Sequence, residues 1–247
     1  MKTYLSPSSF NRYSKCSAAA LAAEHGEWKF EFTTPMKVGS YVDAYFSGTL
    51  DDFVKSNPDI QTKQGALRSD FVKADEIIDL INADPLFLDY ISGEIQVKVS
   101  GKIGGVPILG YIDSLHRGKA IVDLKIVQDV GGKVWNNSIK MYETWVQAFG
   151  YDLQGAVYQE LVRQMTGDKL PFFLAVFDKK KHPNHEIIHI PDQILSEKLE
   201  NVKHRASEFL KIRAGELPPI RCEKCDYCIS TKKLKTTISL DDFFNLF

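Results

Sequence analysis

Apolar positions in the first third of the chain recur at helical spacing. After the start signal Ser6-Pro7-Ser8-Ser9, the residues Phe10, Tyr13, Ala18 and Leu21 mark one helix over 8–23, with Cys16 inside it or at its edge. Two more helices are predicted over 37–46 and 67–81, the second from Phe71, Ala74, Ile77, Ile78 and Ile81. From Glu94 the pattern becomes strand-like. The runs 94–103, 106–115 and 120–127 read as a three-stranded meander, separated by Gly104-Gly105 and Arg117-Gly118-Lys119. A long helix is predicted over 139–165, followed by an apolar strand over 172–177, a short strand over 187–190 and a helix over 192–214. Pro218-Pro219 marks off a short cysteine-bearing tail, and no internal repeat interrupts the series.

The core order α, β, β, β, α, β makes the expected class mixed α/β (α+β). Composition supports a folded chain: 247 residues, 44% hydrophobic and 26% charged, bury a working core and exclude disorder as the main state. One domain over 1–247 is expected, with a helical part over 1–92, a core over 93–190 and a C-terminal helix, cysteines and tail over 191–247. Thirty-one Lys and Arg against 32 Asp and Glu leave a net charge of -1, so any affinity for nucleic acid must be local. No apolar run approaches the roughly 20 residues that span a bilayer, and the start of the chain lacks the apolar block of a signal peptide. No membrane partner and a cytoplasmic location are therefore expected.

The chemistry concentrates on two of the predicted strands. Gly110-Tyr111-Ile112-Asp113 closes one, and Asp123-Leu124-Lys125 lies within the next. Alternation sends Asp123 and Lys125 to the same face, and Asp113, on the hairpin partner, can lie beside them. Two carboxylates and a backbone carbonyl are hard oxygen ligands for Mg²⁺ or Mn²⁺, and a neighbouring ammonium can orient a water or steady an attacked phosphate. An isolated D-x-K is also common on a solvated edge strand. Its place within the apolar run 120–127 argues against that, because charges there are costly unless a site needs them.

These residues resemble the PD-(D/E)XK nucleases, in particular the branch of RecB-type, AddAB-type and CRISPR-adaptation nucleases and phage RecE-like exonucleases. The resemblance implies a restriction-endonuclease-like αβββαβ core with a central mixed sheet. It also implies roles: Asp113 and Asp123 as metal ligands, the Leu124 carbonyl as a backbone ligand, and Lys125 as the water-orienting cation. The family's Gln-x-x-x-Tyr has two copies here, Gln147 with Tyr151 and Gln154 with Tyr158. The second is the better match, which makes Gln154 and Tyr158 DNA-positioning groups, although all four share a helical face and could pack on the sheet. Where many relatives carry a metal-binding His after a Gly, Val38-Gly39-Ser40-Tyr41-Val42-Asp43 offers Asp43, and a carboxylate ligates Mg²⁺ as readily. Glu94 resembles an acidic residue of some relatives, but ranks below the others as a ligand.

Four cysteines are too few for a disulfide scaffold. Cys222, Cys225 and Cys228 form C-x2-C-x2-C, and Cys16 can supply a fourth ligand, a set that suits Zn²⁺ or an iron–sulfur cluster. The resemblance implies a [4Fe-4S] cluster, since AddAB-type and CRISPR-associated relatives place one cysteine before the core and three behind it, although usually with a wider last interval. Either centre would tie the two ends of the chain together as a structural staple.

Residues 198–235 hold ten Lys or Arg against five Asp or Glu, a candidate phosphate track, and Lys179-Lys180-Lys181 is a second. His182, His185 and His189 are weak metal candidates, because Pro183 interrupts any helix that would present the first two together. The segment 239–247 is acidic and aromatic, suited to docking on a partner or to covering its own core. The expected function is a Mg²⁺- or Mn²⁺-dependent deoxyribonuclease, an exonuclease of phage or bacterial recombination, repair or end processing. It would act beside an annealing protein, helicase or single-strand binding protein. The alternatives are a DNA-binding or assembly module that keeps fold and staple without cleaving, and a zinc-stapled interaction protein.

Overall fold

The structure, a computed structural model, describes residues 3–136, 139–234 and 236–241. Most of the segment 239–247, from residue 242 on, lies outside them, as does Lys235. The meander forms as the alternation requires: β1 (Glu94–Ile103), β2 (Val106–His116) and β3 (Ala120–Val127), joined later in the chain by β6 (Phe172–Asp178) and β7 (His185–Ile190). The sheet order is β1-β2-β3-β6-β7, with β3 and β6 parallel and the other pairs antiparallel, a mixed sheet.

Helices cover both faces, which is why β3 and β6 are nearly continuous in apolar residues. On one face α1 (Pro7–Lys15), α8 (Tyr151–Thr166) and α9 (Asp192–Ala214) pack Phe10, Val157 and Phe209 against Val99, Ile121 and Val176. On the other, α3 (Thr34–Phe46), α5 (Ser69–Ala83) and α6 (Pro85–Ile91) set Val42, Ile77 and Phe87 against Val122, Leu124 and Phe177. Successive residues of β3 thus feed opposite cores. The short helix α4 (Leu50–Ser56) follows α3; it and α6 lie outside the predicted helices, being too short to show a clear period.

Two predicted helices are broken. The helix expected over 8–23 is α1 and α2 (Ser17–Glu24), parted at Cys16, whose backbone is extended at φ -162° and ψ 101°. The Cys16 sulfur caps α2 by accepting from the Ala19 amide. The helix expected over 139–165 is a strand and two helices. Lys133–Asn136 (β4) and Met141–Thr144 (β5) pair as a separate hairpin, and α7 (Trp145–Phe149) then precedes α8. Thr144 starts α7 with a capping box to Gln147, and Gly150, at φ +74°, turns the chain between α7 and α8.

Candidate active site and cysteine centre

β2 and β3 pair only at their joined ends, Ser114 with Val122, Leu115 with Ile121 and His116 with Ala120. The next partners in register would be Asp113 and Asp123, and there the strands part. Asp113 replaces the missing ladder bond: its Oδ2 accepts the Leu124 amide at 3.1 Å. On its other side Gln96, at φ +52°, also drops out of the β1–β2 ladder and donates to Asp113 Oδ1 at 3.2 Å. Both strand edges are thus opened at one carboxylate.

Asp123 has no solvent exposure, and its Oδ2 is ion-paired to the Lys125 ammonium, which stands 4.0 Å from Asp113. The Asp123 Oδ1 accepts from Gln154 Nε2 at 2.8 Å. Gln154 also donates to the Tyr158 hydroxyl at 3.1 Å, which in turn donates to the Tyr111 carbonyl at 2.6 Å. Gln154 and Tyr158 both line the cleft described below, but these polar atoms hold Asp123 and β2 in place. Gly110 lets Tyr158 approach: a Cβ there would lie 2.6 Å from its ring. Gln147, the rival glutamine, is taken up in the α7 cap, whereas its companion Tyr151 lies under Lys125, 5.1 Å from ring centre to Nζ.

Burial pushes the Asp123 carboxyl upward against the pull of Lys125, and the two aspartates in turn hold Lys125 above the usual lysine range. Asp43, from α3, shares a small recess with Gln96, Asp113 and Leu124. Burial, together with the charge of Asp113, raises its carboxyl to about 6. Three carboxylates converge on one ammonium, an excess of negative charge in a half-buried place. Among the described residues Asp123 Oδ2 has no hydrogen-bond partner beyond its ion pair, and the ligand atoms present are hard oxygens. That set fits a divalent cation of the Mg²⁺ or Mn²⁺ kind.

A cleft of about 1060 Å³ opens beside Gln154 and Tyr158, lined by Ser8, Asn11 and Arg12 of α1 and by Tyr111, Phe149 and Tyr151. Asn11 fastens the α1 wall by donating to the Phe149 carbonyl at 2.8 Å. Glu94 is not part of this site; it pairs with exposed Arg117 across the β1–β2 end. Among the described residues, four of the ten cations of the 198–235 phosphate track are paired within the protein. Lys198 meets Asp152, Lys203 meets Glu200, Arg221 meets Glu223, and buried Arg213 meets Glu24. Lys180 pairs with Asp129, and Lys179 donates to the Pro35 carbonyl. His185 stacks on Phe177 and meets Asp84, a structural role.

Sequence reasoning missed Tyr151 under the lysine and Gln96 beside Asp113. The rejected Gln-x-x-x-Tyr copy contained the first; nothing in the local pattern marks Gln96 for a left-handed backbone.

At the far end of α1, Cys16, Cys222, Cys225 and Cys228 bring their sulfurs within 4.8 Å of one another. Cys16 and Cys228 are buried against Ala18 and Ala19, and the thiols are free of disulfides. A metal centre is what such a group can hold.

The profile described as "PDDEXK-like domain of unknown function (DUF3799)" matches residues 6–231. A crystal structure of a putative exonuclease from Eubacterium rectale is 42% identical, covering 98% of this chain and 92% of that one, with a TM-score of 0.90. A crystal structure of SSO0001, 12% identical over 92% of this chain and 96% of that one, has a TM-score of 0.32, too low to bear on the fold. No curated protein matches.

Proposed function

The chain belongs to the PDDEXK-like domain family of unknown function, and from that membership we propose that it is a metal-dependent deoxyribonuclease that degrades DNA from its ends. The observation that carries the reading is the convergence of Asp113, Asp123 and Lys125 where β2 and β3 part. The name of the Eubacterium rectale protein supports the exonuclease class. Recombination, repair or end processing is the setting that the resemblance implies.

Asp113, Asp123 and the Leu124 carbonyl would hold Mg²⁺ or Mn²⁺, with Asp43 as a further ligand. When bound, the ion supplies Lewis acidity and makes a water nucleophilic near neutral pH. Lys125 is a poor general base, because two carboxylates favour its charged form. Its role is to hold the attacking water by hydrogen bonding and to stabilise charge gathering on the phosphate oxygens during in-line displacement. Gln154 fixes the rotamer of Asp123 through Oδ1. The cleft beside them, with Arg12 and exposed Tyr111 and Phe149, suits a phosphate backbone with unstacked bases.

End-labelled linear DNA, single- and double-stranded, and covalently closed circles incubated with Mg²⁺ or Mn²⁺ test this reading. Labelled mononucleotides or short products from linear DNA, spared circles and loss of cleavage in Asp123→Ala are expected. Folded protein that binds DNA yet leaves every substrate intact under both metals would overturn it in favour of a non-cleaving module.

A further inference from the structure

Four thiolates around one ion and four around an iron–sulfur cube differ in how far apart they stand. A zinc–sulfur bond of about 2.3 Å puts tetrahedral ligands about 3.8 Å from one another. In a cube each thiolate sits outward of its own iron, with an inorganic core between, and the set spreads wider. Here Cys16 Sγ lies 3.6 Å from Cys228 Sγ, Cys222 Sγ lies 3.9 Å from it, and no pair of the four exceeds 4.8 Å.

We propose that Cys16, Cys222, Cys225 and Cys228 hold a single tetrahedral zinc ion in place of an iron–sulfur cluster, and that this ion fixes the α1–α2 corner walling the cleft. The surroundings favour the small centre. Cys228 has no solvent exposure and Cys16 almost none, with Ala18 and Ala19 packed against them, so a cube would have to prise this packing open. Backbone amides already point at two of the sulfurs, Ala19 at Cys16 and Cys225 at Cys222, as hydrogen bonds to thiolates require.

The mechanical role follows from where Cys16 sits. It ends α1 and caps α2 in one residue, so the ion that holds its sulfur also sets the angle between the helices. The tail is clamped to the same corner: the Ala18 amide donates to the Ile220 carbonyl at 3.0 Å, and the Ile220 amide donates to Ser17 Oγ at 2.7 Å. Trp28 meets Tyr227 edge-on. From this corner α1 carries Ser8, Asn11 and Arg12 into the cleft. The zinc ion itself has no redox chemistry, so the corner would not change by electron transfer at the metal.

The proposal is independent of catalysis, and its test reads metal content and amide exchange. Protein produced with iron and zinc both supplied, and purified without oxygen, is assayed for zinc, iron and acid-labile sulfide. About one zinc per chain, no sulfide and a colourless solution are expected. The cobalt-exchanged form should show the visible bands of a tetrahedral all-thiolate site. About four irons with matching sulfide, or folded protein free of both metals, would overturn the assignment. Removing zinc with a chelator should then raise amide exchange about tenfold or more within 7–24, with little change in 94–127. Unchanged exchange in α1 and α2 would overturn the proposed control of the cleft wall.

Discussion

Asp123 is a carboxylate without solvent access, held between one ammonium and one amide. Removing either support has a distinct expected effect. Lys125→Met should lower kcat about a hundredfold or more while a fluorescence-anisotropy assay still finds DNA binding, because the cation acts on charge that develops during the reaction. Gln154→Ala should lower kcat about tenfold with KM little changed, the signature of a positioning residue. Asp43→Asn has two opposed effects. It removes a carboxylate crowded against Asp113, so the metal-free protein should melt about 2 °C or more higher, while the gain in Tm on adding Mn²⁺ should shrink. An unchanged Mn²⁺ response would exclude Asp43 as a ligand. These residues differ in how legible they are. Asp123 and Lys125 are visible because strand alternation puts them on one face, and Asp113 because the hairpin register can bring it alongside. The resemblance alone favours Gln154 over Gln147; the capping box that takes up Gln147 depends on a helix start at Thr144 that lies inside the run read as one helix.

Among the elements, the strands of the five-stranded sheet are legible, whereas the helix breaks and the β4–β5 hairpin are not. The runs predicted as β1 and β3 match the structure residue for residue, since alternation and glycine turns are local signals. The long helix predicted before β6 fails for a physical reason: β5 is set by pairing with β4, a strand the sequence did not show, and the turn at Gly150 looks like any glycine in an amphipathic run. Gly150→Ala tests that turn. A left-handed alanine costs about 1–2 kcal/mol, and its Cβ would also press on Asn11 at 3.0 Å, so the unfolding free energy from urea melts should fall by at least that much. A wild-type value would mean that α7 and α8 tolerate a straighter junction.

At the scale of the molecule, α1, α2 and α9 are joined by one polar group. Buried Arg213 donates to Glu24 and to the Tyr4 carbonyl, and Tyr13 donates to Glu24 at 3.1 Å. Burial pushes the Tyr13 hydroxyl up to about 12, and Tyr41, in the opposite core, likewise. For an acid raised on folding, the native state keeps protons that the unfolded chain has released. The contribution of these two hydroxyls to stability should therefore be constant below about pH 10 and should be lost between pH 10 and 12. Tyr13→Phe should flatten part of that decline in urea melts; an equal slope would remove Tyr13 as its source. The meeting of Cys16 with the tail joins residues more than 200 apart in sequence, yet it is expected, because one cysteine before the core completes the four-ligand set of the three behind it. The covering of both sheet faces is not legible in the sequence, since it depends on which helices return to which side.

That meeting sets the route by which tension would cross the molecule. A pull applied at the two ends would run along α1 to Cys16, pass through the sulfur cluster to Cys228 and leave by the tail. With the cluster joined, the sheet is tied to this route at its N-terminal side, where Leu5 bridges Ile108 of β2, and β3, β6 and β7 hang from it as a side branch. A pull should therefore first test the Leu5 bridge and the sulfurs, with Asp123 and Lys125 on a strand outside the direct line of load.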